Sequence, residues 1–136
     1  MKFLVSLLLL TSFATTHAQQ PIELSDIANH IGDSVKVRGK IFGVRYLEAA
    51  NNTPTFINVG AAYPNQLLTV VVWGDVRKKL GYAPEDKKYV GAMAVVMGKV
   101  ELYNGKPQIV IADPAQLQLI YDEEVSISQL PPVKQN

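Results

Sequence analysis

Cysteine is absent from the 136 residues of this chain. That absence excludes disulfides, thiolate metal sites and a lipid-bearing N-terminal cysteine, so the domain must rely on its core alone. Histidine is scarce: His17 and His30 are the only two. Charge of one sign is lacking as well, with Lys+Arg 13 against Asp+Glu 12. So even a balance argues against strong, delocalised attraction to nucleic acid or anionic membrane. Among motifs, no HExxH, no G-x-S-x-G and no phosphate-cradling glycine loop occurs. Beyond residue 18 there is no apolar run long enough to span a bilayer.

The first eighteen residues read as a signal peptide. Lys2 supplies a positive start, Phe3 to Leu10 form an apolar stretch broken only by Ser6, and Thr16-His17-Ala18 places small residues at the −3 and −1 positions of a cleavage site before Gln19. A buried N-terminal helix is the competing reading. Cleavage leaves 136 − 18 = 118 residues, a size that suits one domain with one core. The expectation is an exported protein, periplasmic or secreted, without a membrane span after cleavage. The short signal and the missing cysteine favour a bacterial source. Once Lys2 is removed the mature chain is formally neutral, twelve basic against twelve acidic residues. The charge is nevertheless uneven: eleven basic residues and only five acids lie between Val35 and Ala112.

From Pro21 to Gly32 the apolar residues Leu24, Ile27, Ala28 and Ile31 recur at helical spacing. The expectation is a short amphipathic helix with Ser25 as N-cap, His30 in the last turn and Gly32 at C′. From Val35 the period becomes two. Val35, Val37 and Ile41 share one face and Lys36, Arg38 and Lys40 the other, with Gly39 (and then Gly43) placed to permit a bend. A second strand runs Thr55 to Val59 and a third Leu67 to Trp73. Asp75 is placed to cap a short helix, and Glu85-Asp86 to open a further helical turn reaching Tyr89. The stretch Gly91 to Leu117 reads as one long hairpin, turning at Asn104-Gly105 and stopping at Asp113-Pro114. Residues 122–136 read as a disordered polar tail.

An all-β chain of five strands, with a short N-terminal helix, a helix between the third and fourth strands and a glycine bend in the first, fits the OB-fold Greek-key barrel over residues 19–121. An open antiparallel sheet or an SH3-like barrel is the alternative. The segments V-R-G-K-I, P-T-F-I-N-V-G-A-A-Y-P-N-Q, T-V-V-V-W-G and G-K-P-Q-I-V-I-A-D-P-A-Q-L carry a family likeness. Over Ser34 to Ile120 the chain resembles exported bacterial OB-fold proteins of the nucleic-acid-binding, anticodon-binding-like superfamily, and is similar to OB modules that accompany secreted nucleases. The resemblance implies an OB barrel and a binding role.

Nothing in the sequence assembles a catalytic centre, and neither a cofactor nor a metal is expected. His30 suits a solvated helix end, Asp75 and Asp113 suit caps, and the acidic runs Glu85-Asp86 and Asp122-Glu123-Glu124 suit solvated surface. Binding is the better case. OB faces combine basic side chains for a backbone with aromatics on which bases stack. The residues that could serve are Arg38, Lys40, Arg45, Tyr46, Phe56, Asn58, Tyr63, Trp73, Tyr103, Lys106 and Gln108. Each has a plainer role open to it: core or barrel-end packing for Phe56 and Trp73, solubility for Arg38 and Lys40, a turn for Tyr63. The reading is a non-catalytic OB module that binds single-stranded nucleic acid or a similar polyanion. A protein-interaction module of the cell envelope, or oligosaccharide binding, stands as the alternative.

Overall fold

The fold follows from period-two patterning that buries one side of each strand. In a computed structural model that describes residues 20–121, the strands are β1 (Gln20–Ile22), β2 (Ser34–Tyr46), β3 (Thr55–Val59), β4 (Leu68–Val72), β5 (Met93–Lys99), β6 (Glu101–Tyr103), β7 (Lys106–Ile111) and β8 (Leu117–Ile120). One short α-helix, α1 (Gly74–Arg77), and 3₁₀ turns at Leu24–His30, Lys87–Tyr89 and Pro114–Gln116 complete it. The signal peptide and the polar tail expected from the sequence lie outside the described residues. No described helix is long and apolar enough to cross a membrane.

The strands pair in the order β6-β7-β4-β3-β2-β5-β8, with β1 parallel to the start of β2. The β4–β7 pairing is also parallel; the remaining ladders are antiparallel. β2 serves two partners. Its first half pairs with β5 through Lys40↔Met93, and its second half with β3 from Ile41↔Val59 onward. The core lies inside this curved sheet. Val35, Val37, Ile41, Ile57, Val59, Leu68, Val70, Val72, Ile109 and Ile111 are buried there, each contributing about 1.5–3 kcal/mol of apolar burial.

Several expectations change. The sheet has eight strands rather than five, and among the described residues no ladder closes it into a ring. The N-terminal helix is 3₁₀, not α; its N-cap is Glu23 rather than Ser25, with no side-chain cap bond. In α1 the N-cap is Trp73, while Asp75 sits in the first turn and accepts from the Val76 N–H at 2.9 Å. The long hairpin divides. Its first arm leaves at Val100, which is buried, so β5 joins β2 and only the short β6 returns to pair with β7. Asn104 and Gly105 do form the turn, both at positive φ (49° and 75°), the conformation that Asn-Gly tolerates best.

The irregularity in β2 falls at the second of the two glycines expected to permit a bend. Gly39 is a point of close approach: a Cβ there would lie 2.4 Å from Val59 Cγ1 and 2.6 Å from Leu24 Cδ2. The irregularity falls between Ile41 and Gly43, where the register with β3 slips. Phe42 is the extra residue of this bulge and is exposed. A one-residue slip exchanges the two faces of a strand. Before the bulge the odd-numbered Val35, Val37 and Ile41 point inward; after it Val44 packs on the core and Arg45 is exposed.

Candidate functional site

That reversal of faces builds the site. Had β2 kept strict alternation, Arg45 would have shared the buried side of Ile41. The bulge instead sets it on the outer face of β3 and β4, directly across from Phe56, which in turn faces Val71. One pair along, Asn58 lies opposite Thr69 and Thr69 opposite Gln108. Of these outward positions Phe56, Asn58, Thr69 and Gln108 are half-buried, Arg45 is exposed and Val71 is buried, while Ile57, Val59, Val70 and Ile109 fill the core side.

Loops raise this face into a groove of about 470 Å³. One wall is the segment between β3 and β4, bringing Tyr63, Pro64 and Gln66; the other is the β6–β7 turn, bringing Tyr103, Asn104, Lys106 and Pro107. Lys106 Nζ donates to the Pro64 carbonyl, a tie between walls 42 residues apart in sequence. Tyr63 follows Ala62 into a cis Tyr63–Pro64 bond. It is 75% exposed and Tyr103 64%, values that leave both rings free to meet a ligand. Within the floor, Gln66 Nε2 donates to Thr69 Oγ1 at 3.0 Å.

Among the described residues the groove therefore holds three aromatic rings (Phe56, Tyr63, Tyr103) and two cations (Arg45, Lys106), and no carboxylate lines it. A cleft with one sign of charge concentrates ligands of the other sign even on a neutral protein. Of the residues singled out in the sequence, Arg45, Phe56, Asn58, Tyr63, Tyr103, Lys106 and Gln108 come together here. The others do not. Arg38 and Lys40 stand on the half of β2 that faces β5, across from Val95 and Met93, and Lys40 Nζ sits 5.5 Å from the Phe42 ring. Trp73 borders a separate, open depression with Asn52, Thr53, Asp75 and Lys78. Tyr46 lies beneath Arg77, whose guanidinium carbon is 3.9 Å from the ring centre.

Sequence reasoning passed over Leu47, Pro64, Gln66, Thr69, Asn104 and Pro107, which also line the groove. Thr69 and Gln66 carried a signal: a polar residue inside the strongly apolar third strand, and a glutamine leading into it.

Several titratable groups outside the groove have structural partners. His30 stands between two carboxylates, with Nε2 3.2 Å from Asp26 Oδ2 and Nδ1 3.1 Å from Asp33 Oδ2. Hydrogen bonds from Asn29 and then His30 hold the Asp26 carboxyl below the usual aspartate range. Glu85 pairs with Arg77. Asp86 caps its 3₁₀ turn through the Lys88 N–H, and Asp113 forms a capping box with Gln116. Tyr82 is pushed up by burial and by Tyr89, whose ring is 5.6 Å away. Among the described residues no group of three or more His, Asp or Glu side chains is placed to hold a metal ion.

No protein-family model and no curated protein matches the chain. Solved structures do. A chain of yeast Stn1 and Ten1 superposes with TM-score 0.55 at 10% identity, covering 83% of this chain and 69% of that one. The S. pombe Stn1–Ten1 complex gives TM-score 0.50 at 13% identity, over 82% and 85%. An aspartyl-tRNA synthetase from Leishmania major Friedlin gives TM-score 0.54 at 10% identity over 83% of this chain, which spans only 23% of the synthetase. The fold is an OB fold. The groove occupies the outer face of β3 and β4 beside the β6–β7 turn.

Proposed function

We propose that the chain is a non-catalytic OB-fold module that binds single-stranded nucleic acid in this groove. One observation carries the reading: among the described residues, three exposed or half-exposed rings, two cations and no carboxylate line the cleft. Rings give every base a face to stack on, and cations track the backbone. The walls also limit what enters. A double helix presents its phosphates outward and keeps its base faces stacked, so Tyr63, Tyr103 and Phe56 would find nothing to stack against. The synthetase among the similar structures acts on a tRNA by its name, which agrees with this reading. The apolar start and the Thr16-His17-Ala18 segment support export, to the periplasm or beyond the cell, with cleavage before Gln19.

Fluorescence anisotropy tests it with labelled single-stranded 12-mers of mixed sequence at low salt. The expected result is binding in the micromolar range that weakens as salt rises, with a duplex of the same sequence binding at least tenfold more weakly. Absence of binding at high micromolar protein, or equal binding of duplex and single strand, overturns it. A second reading, a protein-interaction module, is favoured by one feature. One of the similar structures is a Stn1–Ten1 complex by its name. Retention of a single stoichiometric protein from envelope extract, with no oligonucleotide binding, would replace the first reading with the second.

A further inference from the structure

The floor of the groove differs in chemistry from its walls. Asn58, Thr69 and Gln108 occupy three adjacent strands at matched register positions, so their side chains stand in one row on one face. Neighbouring strands are about 4.8 Å apart, which makes the row roughly 10 Å long, more than enough to span the hydrogen-bonding edge of one base. Gly43 is the β2 residue opposite Asn58, and a Cβ there would approach the Asn58 Nδ2 only to 3.7 Å. The amide is uncovered on that side. Beyond Gln108 the row continues to Glu101, which lies outside the groove lining.

We propose that this row reads the hydrogen-bonding edge of an unpaired base, so that the site selects among bases rather than accepting any single strand. The proposal rests on the nucleic-acid reading of the same groove. A phosphate gains nothing over the row, since no cation belongs to it and a carboxylate follows at its end. Each amide, by contrast, offers a donor and an acceptor side by side, the complement of the paired donor and acceptor on a base edge. Among the described residues, the hydrogen bond within this floor is Gln66 to Thr69, and it leaves the Asn58 and Gln108 amides for a ligand. Phe56 stands one step along β3 from the row, two residues or about 7 Å away. A base lying against that ring reaches the row with its edge, while Arg45, across from Phe56, meets the backbone. Reading this edge requires that it be free of a Watson–Crick partner.

The test uses the described chain and labelled 8-mers of dA, dC and dT. The wild type should prefer one of them by at least tenfold, since a bidentate contact discriminates by about 5- to 150-fold. Asn58→Ala and Gln108→Ala should each bring the three affinities within about threefold while leaving the salt dependence unchanged. Gln108→Glu keeps the shape and removes the donor, and should change which base is preferred. Equal affinity of the wild type for all three oligomers overturns the base-reading proposal and spares the nucleic-acid reading. So does a preference that survives both alanine variants when they are folded by circular dichroism. No binding of any oligomer overturns both.

Discussion

If Arg45 meets a phosphate and Phe56 a base face, their removal should leave different signatures. Each phosphate neutralised on a single strand contributes about −0.7 to the slope of log K against log salt. With Arg45 and Lys106 as the cations of the groove, the wild-type slope should be about −1.4. Arg45→Ala should halve it to about −0.7 and weaken binding most at low salt. Phe56→Ala should keep the slope and lose about 1–3 kcal/mol, a factor of roughly 5 to 150, at every salt concentration. Both residues point outward from the sheet, Arg45 exposed and Phe56 half-buried, so neither change opens a core cavity. The assay is an anisotropy titration at four or five salt concentrations, with a thermal melt to confirm folding. A Phe56→Ala variant that binds like the wild type would refute the stacking. An Arg45→Ala variant whose slope is unchanged would refute the phosphate contact and, with it, the consequence drawn from the bulge in β2.

Lys106→Met should cut the tie to the Pro64 carbonyl, and faster amide hydrogen exchange at residues 60–66, without ligand, is the readout. Gly39→Ala drives a methyl against Val59 and Leu24 and should cost about 1–3 kcal/mol, with a smaller cost when Val59→Ala is already present; a double-mutant cycle of melting curves measures the coupling. Asp113→Ala removes a capping box and should cost about 1 kcal/mol in chemical denaturation. Because the folded state holds the Asp26 carboxyl below its ordinary range, its contribution is complete above the unfolded value of about 3.9 and is lost as pH falls through the lower folded value. Asp26→Asn should therefore flatten the melting temperature below about pH 4, and parallel pH profiles for the two proteins would contradict this. Tyr82→Phe removes a buried hydroxyl that has no hydrogen-bond partner among the described residues and should leave the melting temperature unchanged or higher.

Much of the fold was legible because burial on one side of a strand writes itself as alternation. The second expected strand, Thr55 to Val59, has those bounds in the structure, and the inward face of the first half of β2 follows from Val35, Val37 and Ile41. The Asn104-Gly105 turn was equally plain, since few other pairs accept two positive φ values. The N-terminal 3₁₀ segment was not legible, because Leu24, Ile27 and Ile31 give the same apolar stripe to either helix type. Nor was the division of the hairpin. Both arms are apolar and β-branched, and whether β5 returns to β7 or crosses to β2 is decided by which pairing lets Val100 and the strands on either side fill one core.

By itself the sequence determined which side chains are available: rings, amides and cations, and no cysteine. It also marked the buried side of the regularly alternating stretches Val35 to Ile41 and Thr55 to Val59, since there burial follows local alternation. The site was decided by the tertiary structure. The bulge at Phe42 turns Arg45 outward onto the groove face, while Arg38 and Lys40, on the other half of the same strand, face away with β5. Pairing of β4 with β7 lines up Thr69 with Gln108, 39 positions further along the chain, and Lys106 meets Pro64 over 42. Register and loop closure are long-range properties. They arise from one shared core being packed by every strand at once, and no local stretch of residues encodes them.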